Sequence, residues 1–199
     1  MVKSVLKFIF LTRLFFIFVA LTNNNYMKKI LLTVAALVCV CSMQAQFGVK
    51  AGFNFANFRG DAADNFNVLT TWHAGVVYEN EITSHFSVQP ELLYSVAGAK
   101  NDDTEYKLGY FSVPLMLKLY PTGGFNIQAG PQLGMLINES DNFKGLKSET
   151  FDFGLAAGLE FFLTNNLFIQ ARYYSGSKKV SSTTDIKNTN ISASLGLMF

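Results

Sequence analysis

The chain has 199 residues, of which 50% are hydrophobic and 15% aromatic, and only 15% carry a charge. That length suits a single domain. Both cysteines precede Gln46, in a segment expected to be removed, so disulfides, zinc-thiolate sites and cysteine nucleophiles are excluded from the mature chain. Five of the 16 basic residues also precede Gln46, whereas all 14 acidic residues follow it, which leaves a net charge near −3 and no electrostatic support for nucleic-acid binding.

The first signal in chain order is a signal peptide at residues 27–45. A short basic region precedes an apolar stretch from Ile30 to Val40, and an acceptable cleavage site follows Ala45. Residues 1–26 are interpreted as an overcalled start of translation, the alternative being a true N-terminal extension. The predicted organisation is therefore an export segment followed by one domain at 46–199.

From Gln46 onward, eight segments alternate between apolar and polar residues with the period of two that is typical of β-strands. Each is long enough to cross the hydrocarbon of a membrane as a tilted strand, which takes about 9 to 11 residues. The pattern predicts an all-β fold, an eight-stranded antiparallel up-and-down transmembrane β-barrel. The predicted strands are 47–58, 71–82, 86–97, 108–120, 125–137, 150–162, 167–177 and 188–199.

The connections between these strands are alternately long and short. The short ones are expected to face the periplasm, and the long ones are rich in Asp, Lys, Asn and Ser, as expected for solvated outer loops. A few apolar residues in the long connections either form protein-binding tips or pack within the loops. These residues are Phe66, Val68, Leu69, Phe143 and Leu146, and the long connections are 59–70, 98–107, 138–149 and 178–187.

The two faces of the predicted strands differ in chemistry. One face is apolar and the other is polar or very small, with many glycines. A membrane barrel places the apolar face toward lipid, whereas a soluble ligand-binding barrel places it inward, so alternation alone leaves both open. Glycines mixed with isolated charges favour a narrow interior in which small residues make room for long ones. Members of the predicted outward face include Val49, Phe53, Trp72, Leu92, Leu115, Leu133, Leu155, Ile169 and Leu195.

Two further features concern the strands themselves. Pro90, Pro114 and Pro131 fall inside predicted strands. Because proline has no N–H, bulges or irregular pairing are predicted there, and the face assignments around Ser112 and Leu115 are less secure.

The last strand ends on the aromatic Phe199, which is interpreted as a C-terminal assembly signal.

The segments resemble the PorT-like outer-membrane β-barrel proteins of the Bacteroidota. The resemblance extends over 46–199 and implies an eight-stranded outer-membrane barrel. The founding members are associated with protein secretion and surface attachment, and the resemblance implies no catalytic residues. It rests on FGVKAGFNFANF (47–58), VQPELLYS (88–95), YFSVPLMLKLY (110–120), AGPQLGMLI (129–137), FDFGLAAGLEF (151–161) and the closing NISASLGLMF.

Five charged residues are predicted to point into the barrel in its periplasmic half. Because unpaired charges in a low-dielectric interior are costly, opposite signs are expected to meet. Such a network either forms a proton or ion path or, as eight strands leave room only for side chains, locks the barrel. The five residues are Glu79, Glu91, Lys118, Glu160 and Arg172.

No cofactor or metal site is expected. His73 and His85 have no second histidine or cysteine at ligand spacing and are expected at strand ends. A hydrolase would need a serine, a histidine and a carboxylate that converge at the outer rim.

The expected function is that of an integral protein of the cell outer membrane, without enzyme activity and with a filled interior. Its expected partners are outer-membrane lipid, the barrel-assembly machinery during insertion, and envelope or secretion proteins that contact its loops; no nucleic acid is expected. The alternatives are a soluble periplasmic ligand-binding barrel and a small outer-membrane enzyme.

Overall fold

A computed structural model describes residues 45–60, 63, 66–101, 104–140, 149–180 and 186–199. Residues 1–44, and with them nearly all of the predicted signal peptide, lie outside this description. The same is true of Phe143 and Leu146 in the third long connection.

Eight antiparallel strands form one closed sheet, in which each strand pairs with the next and β8 pairs with β1. The predicted eight-stranded antiparallel barrel is confirmed. No described segment forms a helix that is long and apolar enough to cross a membrane. The strands are β1 Ala45–Arg59, β2 Leu69–Thr83, β3 Phe86–Asn101, β4 Thr104–Thr122, β5 Phe125–Glu139, β6 Phe151–Phe162, β7 Leu167–Gly176 and β8 Lys187–Met198.

The seam between β1 and β8 closes the barrel and brings the start of β1 beside the end of β8. The register runs from Gly48 opposite Met198 to Arg59 opposite Lys187. The amide of Phe199 donates to the carbonyl of Phe47 at 2.7 Å. We call this end, which also carries the three short turns, the turn end, and the opposite end the loop end.

The exterior of the barrel is apolar. All of the outward-facing residues named from the sequence are exposed, and Phe53, Leu133 and Leu155 are each about 60% exposed. A soluble barrel needs the reverse arrangement, because an apolar coat of this extent is stable only against lipid. The opposite face of the strands is buried in the lumen.

The prediction of a polar or very small interior is only partly right. Several large apolar residues also point inward and are buried, among them Val77, Leu93, Met116, Phe168 and Met198. Phe168 fits because its partner across the β7–β8 ladder is Gly196. A Cβ atom at Gly196 would lie 2.1 Å from Cζ of Phe168, so the glycine is required by this close approach.

The strand prolines interrupt the hydrogen-bond ladders without shifting them. Between β3 and β4 the pairing is interrupted after Pro90, which faces Leu115, and resumes at Leu93, which faces Ser112. Both strands advance by three residues across this gap, so the register is unchanged. The predicted irregular pairing occurs, but the predicted bulges do not lie at the prolines. A missing N–H removes one ladder bond while the flanking residues keep theirs, so the pleat continues.

Face assignments near Pro114 consequently hold, with Ser112 buried inward and Leu115 exposed outward. The register shifts lie elsewhere, close to the strand ends. They occur between Glu81 and Thr83, between Gly109 and Tyr110, and between Leu119 and Thr122.

The prediction of a long loop at residues 98–107 is wrong. Residues 98–107 mostly continue the β3–β4 hairpin, in which Asn101 faces Thr104. The hairpin extends because Ala99 and Leu108 bury their side chains inside the barrel, and this burial stabilises the additional strand pairing.

Candidate functional site

Six charged side chains meet inside the barrel, from its middle toward the turn end. Three are acidic and three are basic, and each comes from a different strand at a position whose parity points inward. All of them are buried except Glu79, whose side chain is 12% exposed. We call this group the ionic layer; its members are Lys50, Glu79, Glu91, Lys118, Glu160 and Arg172.

Lys118 forms one centre of the ionic layer. Its Nζ lies 2.8 Å from Oε2 of Glu79 and 2.6 Å from Oε1 of Glu160. The hydroxyl of Tyr120 donates to Glu79, and the amide of Asn126 donates to Oε1 of Glu160 at 2.9 Å. Lys118 therefore neutralises two carboxylates that have further donors of their own.

Arg172 and Lys50 form the second centre, around Glu91. The guanidinium donates to both carboxylate oxygens, at 2.8 and 2.7 Å, and Nζ of Lys50 lies 2.8 Å from Oε2. Gln170 connects the two centres, since it accepts from Lys50 at 2.9 Å and donates to Glu160 at 2.7 Å. Bidentate Arg–carboxylate pairing of this kind fixes geometry as well as charge.

All five charged residues named from the sequence are brought together here. The sequence reasoning missed Lys50 as a member, although it had placed that residue on the inward face. A signal was present, because the five predicted members contain three acids and only two bases. A buried network needs equal numbers of each, and the structure supplies Lys50 as the third base.

The ionic layer is suited to holding strands together. Each charge contacts a partner of opposite sign, and the amides of the adjoining glutamine and asparagine side chains fill the space between them. A conducting path would need charged groups that face water, and these groups face one another.

An apolar cluster lies in the lumen at the loop end. Phe66, one of the apolar loop residues, packs against it, with its ring 5.2 Å from that of Phe58 and 5.6 Å from that of Tyr106. Val180 and Ile186, from the last long connection, are joined by a backbone hydrogen bond of 2.8 Å. We call this cluster the loop-end cap; its buried members are Phe58, Ala99, Leu108, Tyr110, Val180 and Ile186.

The other apolar loop residues take different positions. Leu69 is buried, whereas Val68 is 55% exposed. Loop packing therefore accounts for Phe66, whereas Leu69 is the buried first residue of β2 and Val68 remains available at the surface.

A serine, a histidine and an asparagine meet on the loop-end side of the ionic layer. Nε2 of His73 lies 2.8 Å from Oγ of Ser194, and Nδ1 lies 2.9 Å from Oδ1 of Asn54. His73 is therefore inside β2 and in the lumen, so its predicted place at a strand end is wrong; His85 is in the exposed turn after β2.

This arrangement has the connectivity of a nucleophile, a base and an orienting group. The third member is an amide and not a carboxylate, and the group is in the barrel interior and not at the outer rim. Ser194 is 7% exposed and His73 is 4% exposed, so both side chains are buried in the barrel interior. Within the described parts of the chain, no group of three His, Cys, Asp or Glu residues is placed to hold a metal ion.

A closed barrel with an apolar exterior and a filled, largely hydrophilic interior defines a membrane-spanning barrel of the outer-membrane type. The family model described as "Outer membrane protein beta-barrel domain" matches residues 30–199, and the chain belongs to this family.

Solved structures with the same fold include two bacterial proteins. Neisserial surface protein A is 16% identical, with a TM-score of 0.54 over 78% of this chain and 99% of its own. The attachment invasion locus protein Ail of Yersinia pestis is 17% identical, with a TM-score of 0.50 over 79% of this chain and 100% of its own. Likeness at this identity shows the fold alone. No curated protein sequence matches the chain at a significant level.

Proposed function

We propose that this outer-membrane barrel is sealed to solutes, has no enzyme activity, and acts through its loop end on other components of the cell envelope. The observation that carries the proposal is the filled lumen. The ionic layer fills the middle, the loop-end cap fills one end, and Phe168 packs with Val77 and Met198 near the other. The described residues that fill the lumen in this way support a barrel without a passage for solutes, whose role is performed by its outer surfaces.

Conductance in planar lipid bilayers tests the seal. The purified barrel should give no steady channel current, while a general porin reconstituted at the same protein-to-lipid ratio should give one. Steady single-channel steps from the wild-type protein would contradict a sealed lumen.

One valine and one isoleucine of equal exposure allow the acting surface to be located. Val68 at the loop end and Ile82 near the turn end are each 55% exposed. A photo-crosslinking amino acid at position 68 should capture a distinct envelope protein in intact cells, and the same group at position 82 serves as the matched control. Capture at position 82 alone would assign the interaction to the turn end and contradict the proposal.

We also propose that the chain is related to the PorT-like proteins of the Bacteroidota and has an accessory role in protein secretion or surface attachment. The sequence motifs of the strands support the relationship. Deletion of the gene should reduce the amount of secreted or surface-attached protein, and an unchanged surface proteome would remove the secretion role while leaving the barrel itself unaffected.

Export and insertion are also proposed. The basic and apolar regions before Ala45 support cleavage by signal peptidase, and the aromatic Phe199 supports recognition by the barrel-assembly machinery. N-terminal sequencing of the mature protein should begin at Gln46. The protein should resist extraction by carbonate without detergent, because its apolar coat lies in lipid; release into the soluble fraction would favour the soluble alternative.

A further inference from the structure

A third buried polar group lies directly beneath the loop-end cap. Asp152 of β6 contacts Asn188 of β8, whose Nδ2 donates to Oδ2 of the carboxylate at 2.8 Å and to the hydroxyl of Tyr110 at 3.3 Å. Tyr174 of β7 also hydrogen-bonds Asp152. Asp152 is 8% exposed and Asn188 is 2% exposed, so neither can rely on bulk water.

The charge of this group is not balanced as it is in the ionic layer. There, three acids meet three bases, and every carboxylate has a cationic partner. No described lysine, arginine or histidine forms an ion pair with Asp152. An isolated carboxylate in a low-dielectric interior is costly unless something positive neutralises it.

Both of these residues, and one that follows on β8, carry an oxygen atom without a hydrogen-bond partner. Oδ1 of Asp152 and Oδ1 of Asn188 have no hydrogen-bond partner, and neither has Oδ1 of Asn190, the next inward residue of β8. The orientation of the Asn188 amide is fixed, because its nitrogen faces a carboxylate that accepts. Three buried acceptor atoms are left without a donor, and the carboxylate has no ion-pair partner among the described residues, which is the inventory that a metal cation satisfies.

We propose that Asp152, Asn188 and Asn190 bind a hard divalent cation, for which calcium is the best match. The donors are all oxygens, without the imidazole or thiolate that zinc or copper prefers, and calcium accepts irregular sets of carboxylate and amide oxygens. With a single carboxylate the site should be weak, with a dissociation constant on the order of 10⁻⁴ to 10⁻³ M. The ion joins β6 to β8, which are not neighbours in the sheet, and so braces the barrel below the cap.

Tyrosine-sensitised terbium luminescence tests this site, since Tb³⁺ replaces calcium and Tyr110 and Tyr174 are close enough to sensitise it. The full-length barrel is refolded in detergent with Tb³⁺ and then titrated with Ca²⁺. The wild-type protein should show saturable emission that Ca²⁺ displaces. Asp152→Asn should weaken the apparent affinity at least about tenfold, because the only charged ligand is lost.

Glu105→Gln is the matched control, because it removes one negative charge from an exposed site at the same end of the barrel. Its emission and calcium displacement should equal those of the wild type. Absence of emission from the wild type, or equal binding by Asp152→Asn, would overturn the site and would indicate a protonated carboxyl group that is hydrogen-bonded to water.

A second variant covers the case in which Asp152→Asn does not refold. Tyr174→Phe keeps all three proposed oxygen ligands and removes one sensitiser, so emission should fall while the Ca²⁺ displacement midpoint stays within about twofold. Unchanged emission would place the ion away from Tyr174 and would equally overturn the proposal. None of these outcomes depends on whether the lumen conducts or the loops bind a partner.

Discussion

The barrel interior is packed by two different means at its two ends. Toward the turn end, paired charges such as Lys118 and Glu160 fill the space between strands. At the loop end, apolar groups such as Leu108 and Ile186 do so, with help from the connecting segments. Paired charges demand fixed geometry and all their partners, whereas an apolar cluster tolerates adjustment. The turn end is therefore expected to be the rigid part of the molecule and the loop end the part that opens first.

Removal of Lys118 should have the largest effect. Lys118→Ala leaves the carboxylates of Glu79 and Glu160 without their shared cation, and breaking a buried pair in this way costs about 3 to 5 kcal/mol. The measurement is the urea dependence of the gel-mobility difference between boiled and unboiled protein, which reports the intact barrel. If boiled and unboiled wild-type samples migrate identically, the mobility difference does not report an intact barrel.

Lys107→Ala provides the control, because Lys107 pairs with Glu105 at the surface and both side chains are about half exposed. Surface ion pairs contribute little. If the two lysine variants unfold at the same urea concentration, the ionic layer does not stabilise the turn end as argued.

Leu108→Ala should have the next largest effect and should act at the other end. The side chain is fully buried in the loop-end cap, and its truncation is expected to cost about 2 to 4 kcal/mol. Added protease should then cut the loop-end segments faster in the folded protein. Leu119→Ala on the same strand is the control, since that side chain is half exposed on the outer face and leaves no cavity in the interior. Equal protease sensitivity of the two variants would mean that the cap does not hold the loop end closed.

The difference between the two ends also explains what sequence alone could predict. Glu79, Glu91, Lys118, Glu160 and Arg172 were placed inward because a strand has a strict period of two, which needs no knowledge of distant contacts. The balance of charge then made their pairing predictable in kind, though not partner by partner.

The loop-end cap was beyond the same reasoning. Val180 and Ile186 lie in a connection that has no period, so nothing in their spacing indicates that they turn inward. The continuation of β3 and β4 past residue 98 was missed for a related reason: polar residues such as Lys100 and Asn101 read as loop, while the buried Ala99 and Leu108 determine the pairing.

Ser194→Ala should have a moderate effect on stability. It leaves Nε2 of buried His73 without its partner at 2.8 Å, which is expected to cost about 1 to 2 kcal/mol. Ser192→Ala is the control, since the hydroxyl of Ser192 makes only a long contact of 3.4 Å to the carbonyl of Arg172. A fluorophosphonate probe should not label the wild-type protein, because Ser194 is enclosed. Labelling that disappears in Ser194→Ala would instead support the enzyme alternative.

Phe199→Ala should have the smallest effect on the folded barrel and separates folding from assembly. The Phe199 side chain is 69% exposed, and its backbone amide keeps the hydrogen bond to Phe47 when the ring is removed. In urea unfolding of the refolded protein, the free energy of unfolding should therefore differ from that of the wild type by no more than about 0.5 kcal/mol. In cells, the amount of folded barrel in the membrane fraction should fall severalfold, because the proposed assembly signal is lost. Phe47→Ala removes an exposed ring from the paired strand and should not reduce assembly, so an equal fall in both variants would attribute the loss to surface hydrophobicity and not to recognition of Phe199.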